Sequence, residues 1–312
     1  MWKRHRSVSR VPPTVAASTF VPPPRLDFGN LPPYTGGVRT RTLSIAAAWL
    51  VMPLALAWAQ QAPPVSAVPA ATASQADCTG FIAGGKLPEN IIVSDGADND
   101  FESYIRQYAV GDSLYLCSRG KPQLSVGQQF SIVRRATELF RTARYAGEHW
   151  TIHGLGKPYE DAGRVQVTRL TPEGAVAEVM FTCGPIYPGD VAVAYQPRPI
   201  PTYVPTMLDR FASPSGKTQG AIVAARNNYG SLGDGDIVYL DFGESKGAKV
   251  GQKYRVYYSL PRPSHWAVFS YPPIPRETVA EVVVLSTQEK SAVGIIVNST
   301  RDISVGYGLE LE

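Results

Sequence analysis

The chain has 312 residues, with 27 prolines, 28 glycines and 18% charged side chains. This length allows about two domains, and the turn-forming residues favour a β-rich protein over a helical bundle. The formal net charge is +4, but seven of the 30 basic residues and one of the 26 acidic residues precede residue 60, which leaves 23 basic and 25 acidic side chains. The net charge of the chain beyond residue 59 therefore gives no indication of nucleic-acid binding.

An apolar segment at 42–59, TLSIAAAWLVMPLALAWA, follows Arg39 and Arg41. A positive flank, an apolar centre and a small-x-small end are the parts of a secretory signal peptide. We expect cleavage after Ala59 and a periplasmic or outer-membrane-associated location. The alternative is an uncleaved signal anchor, because the segment approaches the ~20 residues that span a bilayer. The protein would then contact the membrane through this segment alone.

Two segments beside the signal peptide are predicted to lack a core of their own. Residues 1–41 are rich in Pro and Arg and are predicted to be a disordered N-terminal extension. The alternative is that translation begins at Val38, in which case residues 1–37 are not synthesised. Residues 60–86 begin with a run of Ala, Pro and Ser and are predicted to be a flexible linker. No lipobox precedes Cys78, so lipid anchoring is not expected.

A duplication accounts for the rest of the chain. The hexapeptide GDSLYL recurs as GDIVYL, and VGQQFSI recurs as VGQKYRV. Only the loop between two matching blocks differs in length, by seven residues. The matching stretches are 111–116 with 235–240 and 126–132 with 250–256, at a constant offset of 124, and 165–189 with 282–306, at an offset of 117.

Each copy is predicted to be a small β domain with five or so antiparallel strands. Domain one spans 87–196, a Pro-rich linker spans 197–216, and domain two spans 217–312. The predicted fold class is all-β, with two tandem small SH3-like β-barrel or sandwich domains that leave few open edges. Alternating burial predicts strands at 113–117, 130–133, 165–170, 175–181 and 191–195, and again at 237–241, 254–258, 282–285, 292–297 and 308–311.

The repeated motif runs Asp-x-x-Tyr-Leu, Val-Gly-Gln-x-(Phe/Tyr)-x-Val, Val-x-Val and a final Ile-x-x-Gly turn. It resembles the C-terminal β module of periplasmic LysM-bearing proteins, and it is also similar to the C-terminal β domain of flagellar assembly protein T. The resemblance is best over 220–312, and a weaker likeness covers 90–195. It implies a small β module in the cell envelope. No LysM repeat is recognisable, so glycan binding is not carried over.

Three cysteines are an odd number for an oxidising compartment. Cys117 ends the first predicted strand of copy one and Cys183 ends the fourth, and copy two lacks both sulfurs. A Cys117–Cys183 disulfide is therefore the favoured pairing, with Cys78 as the free thiol or as an alternative partner for either. Cys183 lacks the sequence frame of L,D-transpeptidases, so it is not predicted to be a nucleophile.

No metal or cofactor is predicted. His149 and His153 are placed on a strand, where four residues span about 13 Å and the two rings cannot share a metal. The acidic residues between 95 and 102 are predicted to cap a helix rather than to hold calcium.

One loop differs most between the copies, and divergence of function should concentrate there. In copy one it spans 134–162 and carries arginines that could meet an anionic partner. In copy two it spans 260–275 and carries aromatic residues among prolines, which could form a docking surface. The alternatives are a solvated basic face and aromatics folded over their own barrel. The predicted partner-binding residues are Arg134, Arg135, Arg141, Arg144, Trp266, Phe269 and Tyr271.

These features favour a non-enzymatic periplasmic or envelope-associated binding or scaffold protein, whose partner is an envelope protein or a cell-wall component and not nucleic acid. A cell-wall-modifying enzyme that uses a cysteine is one alternative. A subunit of a secretion or flagellar basal-body ring is another.

Overall fold

The computed structural model of the chain describes residues 66–94, 107–118, 120, 124–140, 145, 147–258 and 276–312. All of them belong to one compact unit, Gln61–Glu312. The extension predicted at 1–41, the signal peptide predicted at 42–59 and the acidic cluster between 95 and 102 lie outside the described residues.

Two antiparallel barrels of six strands confirm the predicted all-β class and the two tandem small barrel domains. Barrel one contains β3 (Ile91–Ser94), β4 (Ser113–Ser118), β5 (Gln129–Arg135), β6 (Lys157–Thr171), β7 (Gly174–Thr182) and β8 (Val191–Ala194). Barrel two contains β10 (Gln219–Ala225), β11 (Ile237–Leu240), β12 (Lys253–Tyr258), β13 (Glu277–Thr287), β14 (Ala292–Val297) and β15 (Gly308–Leu311).

Short elements connect and cover the barrels. β1 (Val68–Pro69) pairs with β9 (Thr202–Tyr203), and β2 (Phe81–Ala83) pairs with the beginning of β6. The α-helices are α1 (Ala73–Asp77) and α2 (Glu148–Leu155), and 3-10 helices occupy Thr137–Phe140 and Glu244–Lys246.

The two barrels have the same strand order and the same register. The order β3-β4-β7-β6-β5-β8 in barrel one recurs as β10-β11-β14-β13-β12-β15 in barrel two. Phe130 pairs with Val165 as Tyr254 pairs with Val282, which reproduces the two sequence offsets. An irregularity in the β5–β6 ladder recurs at the same step of the β12–β13 ladder. The predicted duplication is confirmed, with six strands in each copy.

A glycine with a positive φ angle forms the same turn before β5 and before β12. Gly127 has a φ of 85° and Gly251 a φ of 84°, a region that disfavours residues with a Cβ atom. The amide of Gly127 donates a 2.8 Å hydrogen bond to the carbonyl of Val167, and Gly251 donates a 2.9 Å bond to Val284. The Val-Gly-Gln motif therefore sets where each of these strands begins.

The barrels differ in what covers their outer surfaces. In barrel one, β7 alternates between buried and more exposed positions, as expected of a strand with one face toward a core. In barrel two, all six residues of β14 are buried, because its sequence AVGIIV is apolar on both faces. Other parts of the chain must therefore cover the outside of barrel two.

The N-terminal segment 66–83 provides part of this cover, which corrects the flexible linker predicted at 60–86. Its small residues Ala70 and Ala71 are buried in a cluster with Ile295 and Val297 of β14. Alanine contributes little bulk, so the backbone of the segment can lie close to the barrel. The same composition that predicted flexibility permits this close approach.

The segment also bridges the two barrels. The buried hydroxyl of Tyr239 donates a 3.1 Å hydrogen bond to the carbonyl of Thr79, and the hydroxyl of Ser291 donates a 2.9 Å bond to the carbonyl of Ile82. Because β2 pairs with β6 of barrel one, this segment touches both barrels at once. Burial raises the pKa of the Tyr239 hydroxyl, which keeps it protonated as a donor.

The Pro-rich segment predicted as a linker at 197–216 is also fastened to the barrels. Arg198 forms two hydrogen bonds, of 2.6 and 2.9 Å, with the buried carboxylate of Asp161 in barrel one. Thr206 donates a 2.9 Å hydrogen bond to Glu281 of barrel two. The segment crosses the outside of barrel two instead of hanging free between domains.

Candidate functional site

The disulfide joins Cys78 to Cys183, with their α-carbons 5.5 Å apart, and Cys117 is the free thiol. The favoured Cys117–Cys183 pairing is therefore wrong, and the alternative partner, Cys78, is the one used. The bond ties the N-terminal segment to barrel one just after β7.

Strand direction explains the error. Cys117 and Cys183 do lie at strand ends, but β4 and β7 are antiparallel neighbours, and Cys117 pairs with Gly174 at the start of β7. Cys183 lies nine residues further along, a distance of about 30 Å in an extended strand. Two strand ends that look equivalent in the sequence are at opposite ends of the ladder.

The His149–His153 stretch is also different from its prediction, because it forms α2 and not a strand. Gly147 precedes the helix with a φ of 90°, and Gly156 follows it. Ile152 is fully buried and packs with residues of barrel two, so tertiary contact stabilises a helix built from β-favouring residues.

In the helix, His149 and His153 share one face, so the distance argument against a common metal is wrong. Even so, no group of three or more His, Cys, Asp or Glu side chains among the described residues could hold a metal ion. In the same part of the chain, no helix has the length and apolarity needed to cross a membrane.

Arg134, a predicted partner-binding residue, already uses its donors within barrel one. Its Nε donates a 2.7 Å hydrogen bond to Oδ1 of Asp190, and its Nη2 donates a 2.9 Å bond to the carbonyl of Pro185. The guanidinium lies 4.5 Å from the ring centroid of Tyr187. The hydrogen bond to Asp190 raises the pKa of Arg134. Arg134 therefore stabilises the barrel, and its role in partner binding stays a prediction.

Arg135 is exposed, as a partner-binding residue should be. The other residues predicted to bind a partner, Arg141, Arg144, Trp266, Phe269 and Tyr271, lie outside the described residues.

The loop of copy one has a second role that the sequence did not predict. Its apolar side chains Ala136, Leu139, Ile152 and Leu155 join a buried cluster with barrel two. The apolar residues of this loop therefore help to hold the two barrels together. In contrast, Trp150 on the same helix is 83% exposed.

A cavity of about 370 Å³ opens on barrel one where β3, β5 and β8 meet. Its lining includes Ile92, Val133, Val191 and Tyr159 together with the charged residues Glu89, Arg134, Arg135 and Asp190. Val133 and Tyr159 are buried, and the ring of Phe81 stacks 5.6 Å from that of Tyr159. Val133, Val191 and Tyr159 belong to a cluster separate from the barrel core, which places the cavity on the outer side of the barrel wall.

Barrel two fills the corresponding place with its own side chains. Val133 corresponds to Tyr257 and Val191 to Gly308, because each pair occupies the same position in the matching ladders. Tyr159 corresponds to Arg276 by the sequence offset of 117, and Arg276 directly precedes β13.

The ring of Tyr257 covers Gly308 so closely that a Cβ atom there would overlap it. The guanidinium of Arg276 stacks 4.8 Å from the Tyr257 centroid and makes hydrogen bonds of 2.6 and 2.8 Å to the buried carboxylate of Glu310. These bonds lower the pKa of Glu310 to about 2.

The barrel closes less completely beside the cavity. β3 and β8 share one register pair, Ile92 with Val191, whereas β10 and β15 share three. In barrel two the amide of Leu311 adds a 2.9 Å hydrogen bond to the carbonyl of Thr218. The edge of β8 beyond Val191 has no strand partner on its β3 side among the described residues.

The cavity was missed in the sequence although a signal for it was present. Alignment at the two offsets pairs Val133 with Tyr257 and Tyr159 with Arg276, a loss of one large side chain in copy one. Only the structure shows that these positions are neighbours across the ladder. A scan of protein-family models finds no match to this chain, and a search among curated proteins finds no significantly similar sequence.

Proposed function

We propose that this chain is an exported, non-enzymatic binding or scaffold protein of the periplasm or the outer-membrane-associated envelope, built on two SH3-like barrels. Its partner is an envelope protein or a cell-wall component. The observation that carries the proposal is the Cys78–Cys183 disulfide, which fastens the N-terminal segment to barrel one. Disulfides persist in oxidising compartments and are rare in the cytosol. The apolar segment at 42–59 and the resemblance to envelope β modules support the same compartment.

The way the barrels are joined suits a scaffold. Arg198 bonds to the buried Asp161 of barrel one and also donates to the backbone carbonyls of Ala76 and Asp77 in the N-terminal segment. That segment in turn contacts barrel two. Two barrels held in this way offer a partner a fixed spacing between surfaces, because little ordering entropy remains to be lost on binding.

The enzyme alternative loses support from the same bond. Its proposed nucleophile, Cys183, is bonded to Cys78, so it has no thiolate to attack a substrate. The remaining thiol, Cys117, lies in the β4 ladder between β3 and β7.

The test is made on protein purified from its native host. We expect an N-terminus near Gln60 and, under non-reducing conditions, a peptide pair that contains Cys78 and Cys183. Crosslinking of intact envelopes should then recover a defined partner. A cytoplasmic chain that retains residues 1–59 and has three reduced thiols would contradict the proposal.

A further inference from the structure

We propose that the Pro-rich segment on the outside of barrel two contacts the surface of a lipid bilayer. Residues 203–212 of this segment, which we call the strap, present exposed apolar side chains that enter the membrane interface. This inference rests on the proposed export of the protein. It adds a second membrane contact, made by the folded domain, to the one made by the signal segment.

Three apolar side chains of the strap face solvent within eight residues. Met207 is 98% exposed, Phe211 is 62% exposed and Val204 is 45% exposed. Single exposed apolar residues are common on soluble proteins, whereas a contiguous group marks a surface that meets a partner or a membrane. In barrel one the exposed apolar residues are spread over two turns and two strands, at Val110, Val126, Leu170 and Met180.

Barrel two holds the strap by its inner side, so the apolar side chains are displayed on a fixed surface. Nζ of Lys253 donates a 2.7 Å hydrogen bond to the hydroxyl of Thr206, and Nδ2 of Asn298 donates a 2.8 Å bond to the carbonyl of Thr206. Further along, the amide of Thr278 donates a 2.8 Å bond to the carbonyl of Arg210. A surface fixed in this way loses little conformational entropy when it binds.

The path of the N-terminal segment indicates a membrane as the partner of the strap. Val68 of β1 pairs with Tyr203, at the beginning of the strap. The predicted signal segment ends at Ala59, and the seven peptide steps from Ala59 to Ser66 span at most about 25 Å. A signal segment held in the bilayer would therefore keep the strap close to the lipid surface.

The charges of the strap favour apolar contact over attraction to anionic lipid. Asp209 and Arg210 carry opposite charges, and the carboxylate of Glu277 forms ion pairs with both Arg210 and Arg301. The guanidinium of Arg210 also lies 5.5 Å from the ring centroid of Phe211. Because these cations are neutralised, salt should change the binding little, whereas a basic surface would lose most of its attraction in salt.

The test is cosedimentation of the mature protein, purified from its native host, with vesicles of phosphatidylethanolamine and phosphatidylglycerol. A single myristoyl chain gives half-maximal binding at about 0.1 mM lipid, and we expect the smaller strap to need about 1 mM. Binding should persist in about 0.5 M NaCl. Phe211→Asp and Met207→Asp should each weaken it by about tenfold or more, because each removes a large apolar side chain from the contact.

Val110→Asp is the matched control. Val110 is 61% exposed on barrel one, and its equivalent in barrel two is Asp234, so this position of the fold accepts a carboxylate. The following residues, Gly111 and Gly235, each donate a 2.9 Å hydrogen bond to the matching strand, β7 or β14, which establishes the equivalence. The control should bind vesicles as the wild type does.

A second measurement reports the contact at a single position and needs no charged substitution. In a Cys117→Ser background, Met207→Cys is labelled with a polarity-sensitive fluorophore, whose emission should shift to the blue when vesicles are added. The same label at Val110→Cys should show no shift.

Three outcomes would overturn the inference: no vesicle binding up to about 10 mM lipid, binding that is lost in salt, or unchanged binding by both Asp variants of the strap. A Phe211→Asp protein that binds vesicles normally but no longer crosslinks to an envelope protein would also overturn it, since the strap would then dock a protein. The N-terminus near Gln60 and the Cys78–Cys183 peptide pair are measured separately, so the proposed function can stand when this inference fails.

Discussion

Removal of the Cys78–Cys183 disulfide should cost this protein a large part of its folding stability. The bond closes a loop over a sequence separation of 105 residues. In the chain-entropy account, a loop of this size restricts the unfolded state enough to stabilise the native state by about 4.7 kcal/mol. Residual structure in the unfolded chain reduces that value, so we expect a loss of about 3–5 kcal/mol.

The assay is urea denaturation of the variant Cys78→Ser with Cys183→Ser, made in a Cys117→Ser background to prevent thiol exchange. The matched control is Cys117→Ser alone, because this thiol is half-buried and unbonded. The control should remain within about 0.5 kcal/mol of the wild type. Equal stability of the disulfide-free variant and its control would refute the reasoning. A large loss in the control would instead favour the Cys117–Cys183 pairing.

Three further changes test other parts of the structure. Arg276→Ala leaves the buried carboxylate of Glu310 without its cation and should cost about 3–5 kcal/mol in urea denaturation. The pKa of Glu310 is about 2 in the folded state and 4.5 in the unfolded state, so this stabilisation is complete above pH 4.5 and is lost as the pH falls toward 2. The unfolding free energies of the wild type and Arg276→Ala should therefore converge in acid. Tyr239→Phe removes the hydrogen bond to Thr79 and should cost about 1 kcal/mol, measured in the same assay; no change would show that the bond contributes nothing. Trp150→Ala should leave stability within about 0.5 kcal/mol, because the side chain is 83% exposed, and a larger loss would mean that the indole is buried in solution.

The repeated core could be predicted from the sequence because its signals are local. The alternation of apolar residues indicates where a strand lies, and the Val-Gly-Gln turn indicates where it begins. Both signals lie within a few residues of the strand itself. The strand predicted at 175–181 is therefore found as β7, Gly174–Thr182. The offsets of 124 and 117 reappear as matching pairs across the two ladders.

The features that sequence reasoning missed depend on contacts between distant residues. Trp150, Thr151 and Ile152 favour a strand locally, but contact with barrel two makes them helical. The partner of Cys183 depends on the direction of β7, which periodicity does not report. Apolar residues on both faces of β14 were a readable sign that something covers barrel two, although they could not identify segment 66–83 as the cover.

The cover on barrel two has a consequence for biosynthesis. Tyr239 bonds to a carbonyl 160 residues earlier in the chain, and Ser291 bonds to one 209 residues earlier. A polypeptide that leaves a ribosome or a translocon exposes its N-terminal segment first and completes the surface beneath it last. Closure over such separations is slow, so docking of this segment onto barrel two should be among the final steps of maturation. A product truncated before β14 would lack Ser291 and Val293 and would leave the barrel-two side of this segment uncovered, so that proteases could distinguish it from the finished protein.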